Sequence, residues 1–192
     1  MHQDRVRRLG ERLDLSKALV YHSDAFTAVD RRRPPRECGA MAYGIRFLAD
    51  GMLGSLAKWL RILGYDTTYY PHLEDNEIAR LARAEDRVLL TRDTGLLRRK
   101  GLHSLFVESE LLEQQLAQVL QDLDLQDERP FSRCPVCNTM LEDVPKHEAW
   151  GQVPPYVFQT QQAFRLCPAC DRFYWRGTHW RRMLQKVKEL KP

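Results

Sequence analysis

Two Cys-x2-Cys turns, Cys134-Pro-Val-Cys137 and Cys167-Pro-Ala-Cys170, stand 29 residues apart and constrain this chain more than any other feature. Each turn sets two thiolates on one tight bend, and two such bends can close a tetrahedron around Zn²⁺ with no position open to a substrate. The opposing reading is a pair of disulfides, which needs an oxidising compartment that nothing in the sequence indicates. Residues 129–192 are therefore expected to form a small zinc ribbon. Pro145, Pro154 and Pro155 exclude long regular elements between the turns, so zinc has to replace much of a core. Arg172-Phe173-Tyr174-Trp175 reads as a returning strand whose three aromatic residues cannot all be spared for a ligand. A basic helix is expected from about Arg181 to Leu190.

Upstream, the pattern changes to alternating strands and helices. Ile45 to Ala49 is a mostly apolar strand stopped by Asp50-Gly51. Leu53, Leu56, Ala57, Leu60 and Leu63 then recur at helical spacing, Lys58 and Arg61 face elsewhere, and Gly64 supplies a stop. Strands follow at Thr67 to Tyr70, Val88 to Thr91 and Ser104 to Val107, with helices at Asp75 to Ala84 and Leu111 to Leu123. This order predicts an α/β sandwich, a short parallel sheet covered on both faces by crossover helices, over residues 41–128. Asp124 to Arg129 read as a polar linker to the ribbon. Residues 1–40 read as a basic N-terminal extension, flexible or truncated, and Met41 is an alternative start.

Composition removes several function classes. With 192 residues, 43% hydrophobic and 29% charged, the chain is an ordinary candidate for a folded core. Apolar residues never run uncharged for the roughly 18 positions that a membrane span needs, and the first residues alternate Arg, Asp and Leu. A cytoplasmic setting is expected. Residues 1–40, 41–130 and 131–192 carry +3, −4 and +5 within a total of +4. An acidic block between basic ones fits a protein that holds cations at one site and lays a phosphate backbone along another surface. The six histidines show no metal or catalytic spacing, Cys38 has no defined partner, and no G-x-G-x-x-G occurs.

In a parallel α/β sheet the ligand crevice lies at the carboxyl ends of the strands, where Asp50 and Asp93 are expected. Two carboxylates placed close together repel unless a proton or a divalent cation with oxygen ligands intervenes. Asp75, with Glu74, opens the second helix and could complete such a site. The alternative is local: Asp50 caps the first helix, Asp93 turns with Thr94-Gly95, and Asp75 favours a helix dipole. Thr91 and Ser55 add hydroxyls near the site, and Ser109 reads equally as an N-cap. Lys58 and Arg92 are candidates for phosphate contact. Arg176, Arg181 and Arg182 are candidates for contact with single-stranded nucleic acid beside the ribbon aromatics.

The segments FLADGMLGSLAKWLRILGYDT, EDNEIARLA and RVLLTRD, followed by CPVC and CPAC, resemble a PIN-like ribonuclease family. That family was first described at the C terminus of the mutator-seven exonuclease, and the resemblance covers about residues 45 to 180. It implies a PIN-like three-layer sandwich followed by a zinc ribbon. It also implies a Mg²⁺- or Mn²⁺-dependent ribonuclease in which Asp50, Asp75 and Asp93 are catalytic and hold the metal, and a water activated by the ion attacks RNA. The family commonly carries a ubiquitin-like domain ahead of the nuclease, for which residues 1–40 are too short. A fourth acidic residue is common after the fourth strand, where this chain has Ser109 and Glu110. A competing reading keeps the fold and the ribbon in an RNA-binding or assembly module that cleaves little.

Overall fold

The computed structural model describes residues 44–125 and 129–190. The basic extension of residues 1–40, the alternative start at Met41 and the middle of the linker lie outside the described residues. The first lobe has strands β1 (Phe47–Ala49), β2 (Thr67–Tyr69), β3 (Val88–Thr91) and β4 (Ser104–Phe106), all parallel, in the order β2-β1-β3-β4. Helices α1 (Gly54–Ile62), α2 (Asp75–Ala84), α3 (Thr94–Leu97) and α4 (Leu112–Asp122) connect and cover them. A 3-10 turn at Gly51–Leu53 leads from β1 into α1, so the helix begins one residue later than its apolar spacing suggested.

Strand alternation sorts the side chains into two apolar layers. Phe47, Ala49 and Leu90 face α1 and α4 and join Leu56, Leu60, Leu116, Val119 and Leu120. Leu48 and Leu89 point the other way, onto Ile78 and Ala82 of α2 and Leu96 of α3. The expected helix–sheet–helix layering is present. No helix among the described residues is long and apolar enough to cross a membrane.

The second lobe is an antiparallel sheet β5-β6-β7, formed by β5 (Glu142–Val144), β6 (Phe164–Cys167) and β7 (Arg172–Trp175). Between β5 and β6 stand one 3-10 turn and the short α5 (Pro155–Thr160), with Pro155 in the first turn where its missing N–H costs nothing. Helix α6 (Thr178–Leu190) is the last element among the described residues and starts a turn before the expected Arg181. Of the three strand aromatics, Tyr174 is fully buried, while Phe173 and Trp175 are half-buried around a satellite cluster of Ala149, Val153 and Phe164.

The ribbon does not stand apart. Phe131, Cys134, Leu141, Cys167, Tyr174, Trp180 and Met183 belong to the same apolar cluster as α1 and α4. The Phe131 N–H donates to the Ile62 carbonyl at 2.7 Å, and the Phe131 ring packs on Trp180 with centroids 4.7 Å apart. The ribbon thus docks at the end of α1 and the start of β2, on the amino edge of the parallel sheet.

Asp66, just before β2, is the polar centre of that junction. Its Oδ1 accepts from Arg87 at 2.7 Å and from Asn138 at 2.8 Å, and Arg133 reaches its Oδ2 at 3.6 Å. Burial would raise this carboxyl, but hydrogen bonds from Arg87 and Asn138 and the charge of Arg133 hold it below the usual carboxylate range. Asn138 also accepts from the Thr67 N–H at 3.1 Å, so one ribbon side chain binds both sides of the seam. Arg61 corrects the sequence reading: it does not face away from the core but lies buried beneath the first Cys turn.

Candidate metal centres

Both Cys turns have the same backbone design. The Asn138 N–H donates to the Cys134 carbonyl and the Asp171 N–H to the Cys167 carbonyl, each at 2.9 Å. Each loop then leaves through a left-handed residue, Asn138 at φ 70° and Asp171 at φ 52°, the residue types that tolerate it best after glycine. The result brings Cys134, Cys137, Cys167 and Cys170 together with their ligand atoms within 4.8 Å of one another. Close Sγ···Sγ separations are 3.3 Å for Cys137–Cys167, 3.6 Å for Cys134–Cys170 and 3.9 Å for Cys137–Cys170. Zn–S bonds of about 2.3 Å in a tetrahedron place sulfurs about 3.8 Å apart, so the donor set fits structural zinc.

The four thiols do not share their protons equally. Hydrogen bonds from Cys134, Cys167 and Cys170 hold Cys137 far below the ordinary thiol range, whereas Cys170 is pushed up, first by Cys134. Four crowded thiols cannot all ionise unaided, and a dication removes the obstacle. The buried Tyr174 hydroxyl lies 3.1 Å from Cys134 Sγ, and burial together with the neighbouring thiolates raises its pKa, so it remains a donor.

The acidic edge is arranged differently. Asp50 ends β1 and Asp93 follows β3, and these strands are neighbours in the sheet. Thr91 joins them: its hydroxyl donates to Asp50 Oδ2 at 2.8 Å and accepts from the Asp93 N–H at 2.9 Å. Each carboxylate is also a local cap, Asp50 accepting from the Gly51 N–H and Asp93 from the Gly95 N–H. Asp75 opens α2 on the same side of the sheet, but its Oδ2 lies 3.6 Å from Arg99, whose other nitrogen donates to Asn76. Among the described residues, the cysteines are the group of three or more metal-binding side chains whose ligand atoms converge. Asp50 and Asp93 thus stand together at one lip, while Asp75 is engaged by an arginine.

The remaining candidates divide by location. Arg92 lies beside Asp93 with one nitrogen 3.2 Å from Glu110, whose side chain is 82% exposed, while its Nε is buried without a hydrogen-bond partner. Lys58 is half-buried on α1, and that burial lowers its pKa. Ser109 acts as a turn residue, accepting from the Leu111 N–H at 3.0 Å. Arg176, Arg181 and Arg182 are exposed, the last two with Gln185 and Glu189 along an open depression on α6.

The structure adds two residues that sequence reasoning did not select, Asp66 and Asn138, which join the lobes. Their only signal was the step from Gly64-Tyr65-Asp66 into β2 and an Asn directly after a Cys turn. No curated protein and no solved structure matches the chain. The Mut7-C RNAse domain model matches residues 45–187, from just before β1 into α6, across both the parallel sheet and the ribbon. The chain belongs to the Mut7-C RNAse domain family.

Proposed function

We propose that this protein is a divalent-metal-dependent ribonuclease whose reactive edge is the carboxyl end of the parallel sheet. The observation that carries the reading is the Asp50–Thr91–Asp93 linkage, in which the Thr91 hydroxyl ties the Asp50 carboxylate to the backbone of Asp93 at adjacent strand ends beside an arginine. Mg²⁺ or Mn²⁺ bound there would offset phosphoryl charge and lower the pKa of water. Asp50 and Asp93 would hold the ion, and Asp75 could add a third carboxylate only if Arg99 released it. Thr91 orients the Asp50 carboxylate by donating to Oδ2, while Oδ1 accepts from the Gly51 N–H. Arg92, held at rest by a solvent-exposed glutamate, transfers its guanidinium to an RNA phosphate. Lys58 adds positive charge from α1. Arg176, Arg181 and Arg182 hold single-stranded RNA by its backbone at the ribbon, in a cytoplasmic setting that keeps the zinc thiols reduced.

The full chain incubated with Mn²⁺ and a labelled RNA containing single-stranded regions tests this. Combining Asp50→Asn with Asp93→Asn lowers cleavage by at least about 100-fold while RNA binding and melting temperature persist. A second reading, an RNA-binding module that cleaves little, is favoured by the capping bonds of Asp50 and Asp93 and by the Asp75–Arg99 pair. Purified wild type that cleaves no RNA with Mn²⁺ or Mg²⁺ decides for it.

A further inference from the structure

Two buried arginines in this molecule solve the same problem in different ways. Arg87, 8% exposed, faces carboxylates directly, with Asp66 at 2.7 Å and Glu85 at 2.5 Å. Arg61, 6% exposed in the last turn of α1, has no ion pair among the described residues. Its Nε donates to the Thr67 carbonyl at 2.7 Å, and its Nη1 to the carbonyls of Pro135 at 3.2 Å and Val136 at 2.8 Å. Pro135 and Val136 are the two residues enclosed between Cys134 and Cys137. Neutral carbonyls orient a guanidinium but do not balance it, and an unbalanced buried charge is strongly unfavourable. On the loop that it holds, the groups able to carry the opposite sign are Cys134 and Cys137, while the Asp66 carboxylate is already engaged by Arg87 and Asn138.

We propose that Arg61 is the outer cation of the zinc centre. Four thiolates and one Zn²⁺ carry a net −2, and Arg61 supplies compensating charge from behind the first Cys turn. In return it pins the carbonyls of that turn, fixing the loop that aims Cys134 and Cys137. The same guanidinium holds the start of β2, so zinc binding and docking of the ribbon on the parallel sheet are one event. This inference rests on the zinc reading of the cysteines and is independent of the ribonuclease reading.

The test is zinc release from the full, zinc-loaded chain into excess chelator, followed with a chromogenic zinc indicator below the melting temperature of every variant. Arg61→Met releases zinc at least about tenfold faster than wild type, and Arg61→Lys, which restores the charge but not the fork, recovers part of the difference. Arg87→Met lowers the melting temperature through its own broken ion pairs, yet its release rate stays within about twofold of wild type. Arg61→Met at the wild-type rate overturns the proposal, and so does equal acceleration by Arg87→Met. If Arg61→Met does not fold, Arg61→Gln, which is polar but uncharged, decides: faster release supports the proposal and an unchanged rate overturns it. Wild type that binds no zinc removes its basis.

Discussion

Asp66 shows how one carboxylate can fasten two lobes. It accepts from Arg87 on the sheet side and Asn138 on the ribbon side, and its pKa is lowered in the folded chain. A lowered carboxyl contributes stability above its unfolded value of about 3.9, and that contribution is lost as pH falls through the folded value. Asp66→Asn keeps the shape and removes the charge, leaving Arg87 and Arg133 undercompensated. We expect a cost of about 2–4 kcal/mol at pH 6, measured by denaturant unfolding of the zinc-loaded chain. The gap to wild type should narrow once the pH falls below about 4. A gap that is constant across that range would mean that Asp66 acts through shape alone.

At the level of the helix and its cap, α1 has to stop where the ribbon arrives. The Gly64 N–H donates to the Arg61 carbonyl at 3.0 Å and the Tyr65 N–H to the Leu60 carbonyl at 2.9 Å, which end the helix in a left-handed glycine at φ 100°. A Cβ on Gly64 would stand 2.5 Å from the Arg129 carbonyl oxygen, so the position excludes side chains for two reasons. Gly151 has a similar conformation, φ 73°, with nothing within 4 Å of its Cβ position. Gly64→Ala should therefore cost about 3 kcal/mol or more, and Gly151→Ala only about 1 kcal/mol. Equal losses in thermal melts of the two variants would show that the Arg129 backbone yields freely. Gly54 is a milder case at the other end of α1, where a Cβ would meet the Tyr69 hydroxyl at 2.7 Å. That hydroxyl donates to the Gly51 carbonyl at 3.0 Å and steadies the turn beside Asp50.

Taken together, the two lobes are arranged back to back along α1. The helix begins beside the Asp50 turn on the carboxyl edge of the sheet and ends under the zinc turns on the amino edge. Its nine residues separate the two by about 13 Å. Zinc held by the four cysteines would act on the acidic lip only from a distance, through the helix and the shared core. Because Phe131, Tyr174, Trp180 and the α1–α4 face form one apolar cluster, zinc removal should destabilise the whole chain. Chelation is expected to lower the melting temperature by roughly 10 °C or more while leaving a single transition by calorimetry. Two separated transitions would show that the parallel sheet holds its fold without the ribbon.

Much of this was already written in local pattern. Strand alternation, the helical spacing of α1, α2 and α4, and the paired Cys turns depend on neighbours within about one or two turns of chain, so a linear reading recovers them. Asp50 and Asp93 were legible for the same reason, since Asp50 directly follows the short apolar β1 and Asp93 stands one residue beyond β3. Side chains whose role is set by distant partners were not. Arg61 carries a charge at a position that spacing assigns outward, and only the arrival of Pro135 and Val136 from more than 70 residues away turns it into an interior group. Asp75 looks equivalent to Asp50 and Asp93 in sequence, yet Arg99 reaches it from beyond α3. Tyr174, rather than Phe173 or Trp175, is the ring taken fully inside, because the zinc thiols and Phe131 meet that face of β7. Periodicity specifies which residues can share a surface, but which charge finds a counter-charge is settled when segments far apart in the chain close on each other and exclude water.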